Sequence, residues 1–144
     1  MHDLAVRVVV YGHLSYSLSS PSEFKNMYSS TSPYGVRRAF TLENFKSVTF
    51  DGLWFSDFTN HQDGGVFYVE NSTLTLRNCF FYSNKALQSG SGGALYAKGS
   101  NIFIDGTVFI DHTTQKNGGA IVAIQSDLEI KRSHFSGLDF AQFA

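Results

Sequence analysis

Leu74-Thr75-Leu76-Arg77-Asn78-Cys79-Phe80-Phe81-Tyr82-Ser83-Asn84, followed by Gly92-Gly93-Ala94-Leu95, decides the fold, because its parts recur along the chain in fixed order. An alternating apolar pair starts at Val48, Leu74, Ile102 and Leu128, at intervals of 26, 28 and 26 residues. Seven residues after each start stands a phenylalanine: Phe55, Phe81, Phe109 and Phe135. Three units then reach a glycine pair, Gly64-Gly65, Gly92-Gly93 and Gly118-Gly119, and the next apolar pair begins nine residues after its second glycine. The difference in period therefore lies between Phe81 and Gly92, in Lys85-Ala86-Leu87-Gln88-Ser89-Gly90-Ser91, where an insertion lengthens a loop without shifting strand register.

A period in this range is the signature of a solenoid. Each unit offers two or three short runs of alternating polarity separated by Gly, Asn, Asp and Ser, too punctuated for helices. After each glycine pair comes a compact apolar run, Val66–Val69, Ala94–Ala97 or Ala120–Ala123, as expected of a strand entering from a corner that glycine turns cheaply. One unit cannot bury its own apolar side, but stacked units can, each strand pairing with its copy at about 4.8 Å. The sequence thus predicts an all-β fold: a right-handed parallel β-helix of about three to five coils, with 26 to 28 residues per coil and three sheets. A leucine-rich repeat is the competing reading, since Leu74-x-Leu76-x-x-Cys79-x-Phe81 echoes its core. That pattern wants an apolar residue three before each pair, where this chain has Phe45, Asn71, Gly99 and Gln125. Three residues after each start the signs alternate, Asp51, Arg77, Asp105 and Lys131, so stacking would set each charge between opposite ones.

Residues 39–144 form the expected repeat region, and residues 1–38 fit the period badly. Arg38-Ala39-Phe40-Thr41-Leu42 takes the glycine-pair and strand positions, Ala39 preceding Val48 by nine, and completes a degenerate first coil or cap. Ser15 to Pro33, with its serine clusters and both prolines, reads as an exposed loop after a strand near Val8.

Composition narrows the function. The chain has 144 residues with 14 Phe, 7 Tyr and 13 Gly, and only 16% charged residues at a net charge of -1. Without a basic field nucleic acid is not an expected partner. Cys79, the single cysteine, forms no internal disulfide and reads as a small half-buried thiol. No segment has the length of a membrane span, and Leu4–Tyr11, interrupted by Arg7, makes a poor signal peptide.

Parallel β-helices also carry pectate lyases and polygalacturonases, so any enzymatic role depends on the residues themselves. Ile130-Lys131-Arg132 inverts the Arg-x-Lys order of a polygalacturonase-type site. Asp57 and Asp111 hold equivalent positions two coils apart, about 9 to 10 Å at the strand spacing, too far for shared calcium ligation, and the unit between supplies Ser83. They read as solvated turn residues. His61, His112 and His134 fall at different repeat positions without zinc spacing. The expectation is therefore no catalytic residue, no cofactor and no metal. Phe55, Phe81, Phe109 and Phe135 read as an interior aromatic stack, and Asn84 as either stacking with its copies or bonding its own turn. Phe58, Tyr82 and Tyr96 are the outward aromatics expected at any ligand contact.

Gly92-Gly93-Ala94-Leu95 and Gly118-Gly119-Ala120-Ile121 match G-G-A-[ILV], and Phe81-Tyr82-Ser83-Asn84 matches F-x-x-N. With these tetrapeptides, residues 46 to 138 resemble the repeats of chlamydial-type polymorphic outer membrane proteins, within the pectin-lyase-like β-helices; similar repeats occur in surface proteins of some protists. Gly64-Gly65-Val66-Phe67 departs by Val for Ala, and Phe55 and Phe109 are followed by Phe58 and His112 in place of Asn. The resemblance implies a surface-exposed, non-catalytic segment for adhesion or display at the outer membrane or outside the cell. Its partner would be a host-surface protein or glycan. A carbohydrate-active β-helix and a structural piece of a larger array are the alternatives. Neither end shows a polar cap, so self-association through open ends, or a continuation of the protein, is expected.

Overall fold

The structure, a computed structural model, describes residues 38–45 and 47–137 together with the backbone of Val9–Val10, Ser22–Lys25 and Asp139–Phe140. The remainder of the serine-rich stretch and the tail after Phe140 lie outside the described residues. Every described element is a strand. Two N-terminal strands, β1 (Val9–Val10) and β2 (Ser22–Lys25), precede four coils. Coil one contains β3 (Phe40–Glu43), β4 (Val48–Asp51), β5 (Leu53–Ser56) and β6 (Thr59–Asn60). Coil two contains β7 (Phe67–Glu70), β8 (Thr73–Arg77), β9 (Phe80–Tyr82) and β10 (Lys85–Ala86). Coil three contains β11 (Leu95–Lys98), β12 (Asn101–Asp105), β13 (Val108–Ile110) and β14 (Thr113–Thr114), and coil four β15 (Ile121–Ile124), β16 (Asp127–Lys131), β17 (His134–Ser136) and β18 (Asp139–Phe140).

Each strand pairs in parallel with its copy one coil on, which makes the chain a parallel β-solenoid of four coils. The first sheet runs β1-β3-β7-β11-β15, the second β4-β8-β12-β16, the third β2-β5-β9-β13-β17 and the fourth β6-β10-β14-β18. Four sheets replace the three expected. The fourth is built of two-residue strands, too short for alternation to reveal them. Ser22–Lys25 is also a correction: inside the expected loop it forms a strand whose Phe24 falls in register with Phe55.

The pairing recovers the register on which the period rests: Val48, Leu74, Ile102 and Leu128 align, as do Asp51, Arg77, Asp105 and Lys131. The long period does come from the turn at Gln88–Ser89, where Gly90 N–H closes on the Leu87 carbonyl at 3.0 Å. Coil one is displaced from the reading above. Phe40 pairs with Phe67, so Arg38 aligns with Gly65 and Ala39 with Val66. The corner between β3 and β4 holds one more residue than its later copies, and counting back from Val48 across it shifts the alignment by one.

Inward side chains fill the axis. Phe55, Phe81, Phe109 and Phe135 form one column with centroids 4.9, 4.7 and 4.6 Å apart and planes within 26° of parallel. Phe40 and Phe67 make a second stack at 5.0 Å, met edge-on by Phe55 and at a tilt by Phe50. A buried Phe contributes roughly 1.5–3 kcal/mol and each aromatic pair about 0.5–1.5 kcal/mol beyond that, so the axial phenylalanines are a main source of the fold's stability.

Candidate functional site

The corners carry most of the polar chemistry. Three of the four in a coil have a common build: one residue in the left-handed region, then one that points inward. The left-handed residues are Asn44, Asn71, Gly99 and Gln125 at the first corner, Gly52, Asn78, Gly106 and Arg132 at the second, and Asp57, Ser83, Asp111 and Gly137 at the third. Gly, Asn and Asp tolerate this conformation at lowest cost, which explains why the coils are punctuated by these residues. Asp57 and Asp111 are thus turn residues. Ser83, Gln125 and Arg132 are the exceptions, and the Arg132 guanidinium is bound bidentately by Asp105, with Nε 2.9 Å from Oδ1. That carboxylate holds Arg132 above its ordinary pKa.

The inward residue that follows satisfies the coil before it. At the first corner Phe45 N–H donates to Ser72 Oγ at 2.9 Å, Ser72 N–H to Ser100 Oγ at 3.1 Å, and Ser100 N–H to Ser126 Oγ at 3.0 Å. At the second, Cys79 N–H donates to Thr107 Oγ1 at 3.3 Å and Thr107 N–H to Ser133 Oγ at 3.1 Å. At the third, Phe58 N–H donates to Asn84 Oδ1 at 3.0 Å, and Asn84 Nδ2 returns a bond to the Phe55 carbonyl at 3.1 Å. Asn84 therefore bonds the neighbouring coil, not its own turn. Each buried donor left without such an acceptor would cost about 1–3 kcal/mol.

Coil three puts His112 in the Asn84 position. Its Nδ1 accepts the Asn84 N–H at 3.1 Å, while Nε2 is the one buried side-chain nitrogen or oxygen without a hydrogen-bond partner among the described residues. Burial pushes its pKa down to about 4. Cys79 is buried outright, its Sγ set against the Phe50 and Arg77 carbonyls, and desolvation pushes the thiol up to about 11. That is the environment of an inert thiol.

The glycine pair has two separate reasons. Gly64, Gly92 and Gly118 have positive φ. Gly65 and Gly93 lie against the next coil, where a Cβ would run into the carbonyl oxygens of Gly93 and Gly119 respectively.

The outward aromatics are only partly where the sequence places them. Phe58 is fully buried at an inward corner position, a correction explained by its equivalence to Asn84 and His112. Tyr96 is half-buried and stacks on Tyr68 at 5.6 Å, with Arg38 5.0 Å from the Tyr68 ring centroid. Burial is the leading cause that raises both phenols, Tyr68 to about 12, helped by its bond to Glu70. Tyr82 is outward and 42% exposed. It belongs to a patch on the third sheet with Trp54, 49% exposed, and with Phe80, which touches both rings at 5.0 and 6.2 Å. Val108 and Ile110 carry the patch into coil three. Trp54 and Phe80 are the aromatic members absent from the sequence-based expectation, although their places beside inward Phe55 and Phe81 in alternating strands mark both as outward.

A shallow polar groove of about 360 Å³ lies over the first sheet, lined by Arg38, Glu43, Gln62, Asp63, Tyr68 and Ser89 among others. Arg38 is committed within it, donating to the Asp63 carbonyl and to Thr41 Oγ1. No group of three or more His, Cys, Asp or Glu side chains is placed to hold a metal among the described residues. The aligned charge column forms its ion pairs off the predicted axis: among the described residues Asp105 takes Arg132, and Lys131 takes Glu129 at 2.9 Å. No described helix is long and apolar enough to cross a membrane.

Residues 78–98 match the Chlamydia polymorphic membrane protein repeat, a family that is not enzymatic. No curated protein and no solved structure gives a significant match. The matched segment starts at the left-handed Asn78, takes in Phe81-x-x-Asn84 and Gly92-Gly93-Ala94-Leu95, and ends with β11. Its phenylalanine, asparagine and glycines are those of the aromatic column, the corner ladder and the inter-coil contact, so the chain is a parallel β-solenoid in which the segment 78–98 is similar to a polymorphic membrane protein repeat.

Proposed function

We propose that this solenoid is a non-catalytic segment displayed at a cell surface for adhesion, and that its third-sheet flank is the contact face. The observation that carries the reading is the division of aromatic residues: one set fills the axis, while Trp54, Phe80 and Tyr82 form a contiguous outward patch that the fold does not need. Exposed apolar patches bounded by polar residues are a mark of interaction surfaces. The repeat match supports a location at a membrane surface, and the repetition itself supports multivalent contact. The partner is a host-surface protein or glycan.

Two measurements test this. Protease shaving of intact source cells should release peptides of this chain; recovery only after lysis would remove the display reading. Trp54→Ala with Tyr82→Ala should lower binding of the purified chain to target cells at least tenfold with an unchanged circular dichroism spectrum. Undiminished binding would exclude this face.

A further inference from the structure

The two ends of the solenoid are chemically different. In coil one, the inward corner positions held by Ser72, Cys79 and Asn84 in coil two are occupied by Phe45, Leu53 and Phe58, all buried. The edges of β3 and β5 are taken by β1 and β2, the former antiparallel. Coil four retains inner-coil chemistry, with Ser126 and Ser133 in the ladder positions. Among the described residues no strand covers the outer edge of β15, β16 or β17. Leu128 and Ile130 stand at 39% and 41% exposure, whereas their counterparts Leu74, Leu76, Ile102 and Ile104 are buried. Ile121 and Phe135 are covered only in part.

The free edge of β16 has a definite polarity. Asp127 N–H donates back to the Ser100 carbonyl, and the Lys131 carbonyl accepts back from Gly106 N–H. Backbone groups alternate along a strand, so Leu128 and Ile130 turn theirs outward, away from coil three. The sequence of that strand is Asp127-Leu128-Glu129-Ile130-Lys131. Read against itself antiparallel and centred on Glu129, it sets Asp127 opposite Lys131 and Leu128 opposite Ile130. The two residues with outward backbone then meet as the hydrogen-bonded pairs, and the opposite charges meet at the closer, non-hydrogen-bonded sites.

From this we propose that two copies of the chain join through coil four about a twofold axis at Glu129, β16 pairing with β16 of the second copy. Charge complementarity and backbone polarity select the same register. The axis reverses the order of sheets, so the Phe135 side of one copy lies over the Ile121 side of the other, and the aromatic column ends on an aliphatic side chain. Head-to-tail stacking would set β16 on β4, whose outer edge no described strand covers, but β1 and β2 block it in the two flanking sheets, and Phe45 and Leu53 offer no hydroxyl to receive the Ser126 and Ser133 N–H groups. The one unfavourable contact is Glu129 with its copy, moderated by Lys131 beside it.

Sedimentation equilibrium of the full chain at neutral pH and low salt, over a wide concentration range, should show a monomer–dimer equilibrium. Asp127→Lys alone, or Lys131→Asp alone, puts like charges opposite one another at two sites per dimer and should weaken the dissociation constant about tenfold. The double variant Asp127→Lys/Lys131→Asp restores both pairs and should recover the original constant within about threefold. Glu129→Gln should tighten it. The exchanged side chains are exposed, so thermal melts of the dilute monomers should stay close to one another. A monomer at every concentration, a polymer that lengthens with concentration, a dimer indifferent to the single exchanges, or a double variant that fails to recover would each overturn the proposal.

Discussion

His112 stands where Asn84 stands one coil earlier, and it makes only half of the same contact. Asn84 accepts one backbone N–H and donates to one carbonyl of the coil before it; His112 accepts, but its Nε2 lacks a partner. His112→Asn should therefore raise stability by about 1 kcal/mol, measured by urea unfolding. Protonation gives a second test. Burial lowers the folded pKa to about 4 from an ordinary 6.5, so the unfolded chain takes up a proton first as pH falls. The stability linked to neutral His112 is fully present above pH 6.5 and drains away towards pH 4, by about 3 kcal/mol in all. The asparagine variant should lack that part of the acid dependence. Cys79, buried with its pKa at about 11, should react with a thiol reagent at neutral pH only as fast as the chain opens.

The corner is the element in which sequence and structure inform each other most. Fixed spacing of apolar pairs, phenylalanines and glycine pairs made the coil, its register and its loop insertion legible, because each is a periodic property of residue type. The corner ladders were less legible: Ser72, Ser100 and Ser126 are ordinary turn residues until stacking shows that each serves the coil before it. Phe58 is not legible as inward because one position accepts Phe, Asn and His, residues that share a place and not a polarity. The fourth sheet escaped because two residues carry no alternation. Space between coils separates two changes that look alike on paper. Gly93→Ala forces a Cβ against the Gly119 carbonyl and within 3.0 Å of the Thr113 carbonyl, and should cost about 3 kcal/mol in chemical denaturation. Two further residues inserted between Gln88 and Ser89 should cost less than about 1 kcal/mol, since loop length is a weak entropic term.

Taken along its axis, the molecule pairs every strand on both sides in the middle, whereas at coil four no described strand covers the outer edge of β16. Amide exchange should show this: the Leu128 and Ile130 N–H groups, on an edge that no described strand covers, should exchange far faster than those of Ile102 and Ile104 in coil three. Suppressed exchange at Leu128 and Ile130 that persists at high dilution would contradict the open edge. The ladders also set a rule for length. Removing residues 94–119 joins Gly93 to Ala120 and brings Ser126 under Ser72, Ser133 under Cys79 and Phe135 under Phe81, at the expense of Arg77 falling opposite Lys131. That shortened chain should still fold cooperatively with a β-sheet spectrum, whereas removing residues 94–106, about half a coil, should not. Because every ladder runs from one coil to the next, a duplicated or lost coil is read by its neighbours as one of their own. Length is then a heritable variable that changes in whole steps: unequal recombination in whole-coil units passes through this architecture intact, and any other step is removed with the first misplaced serine.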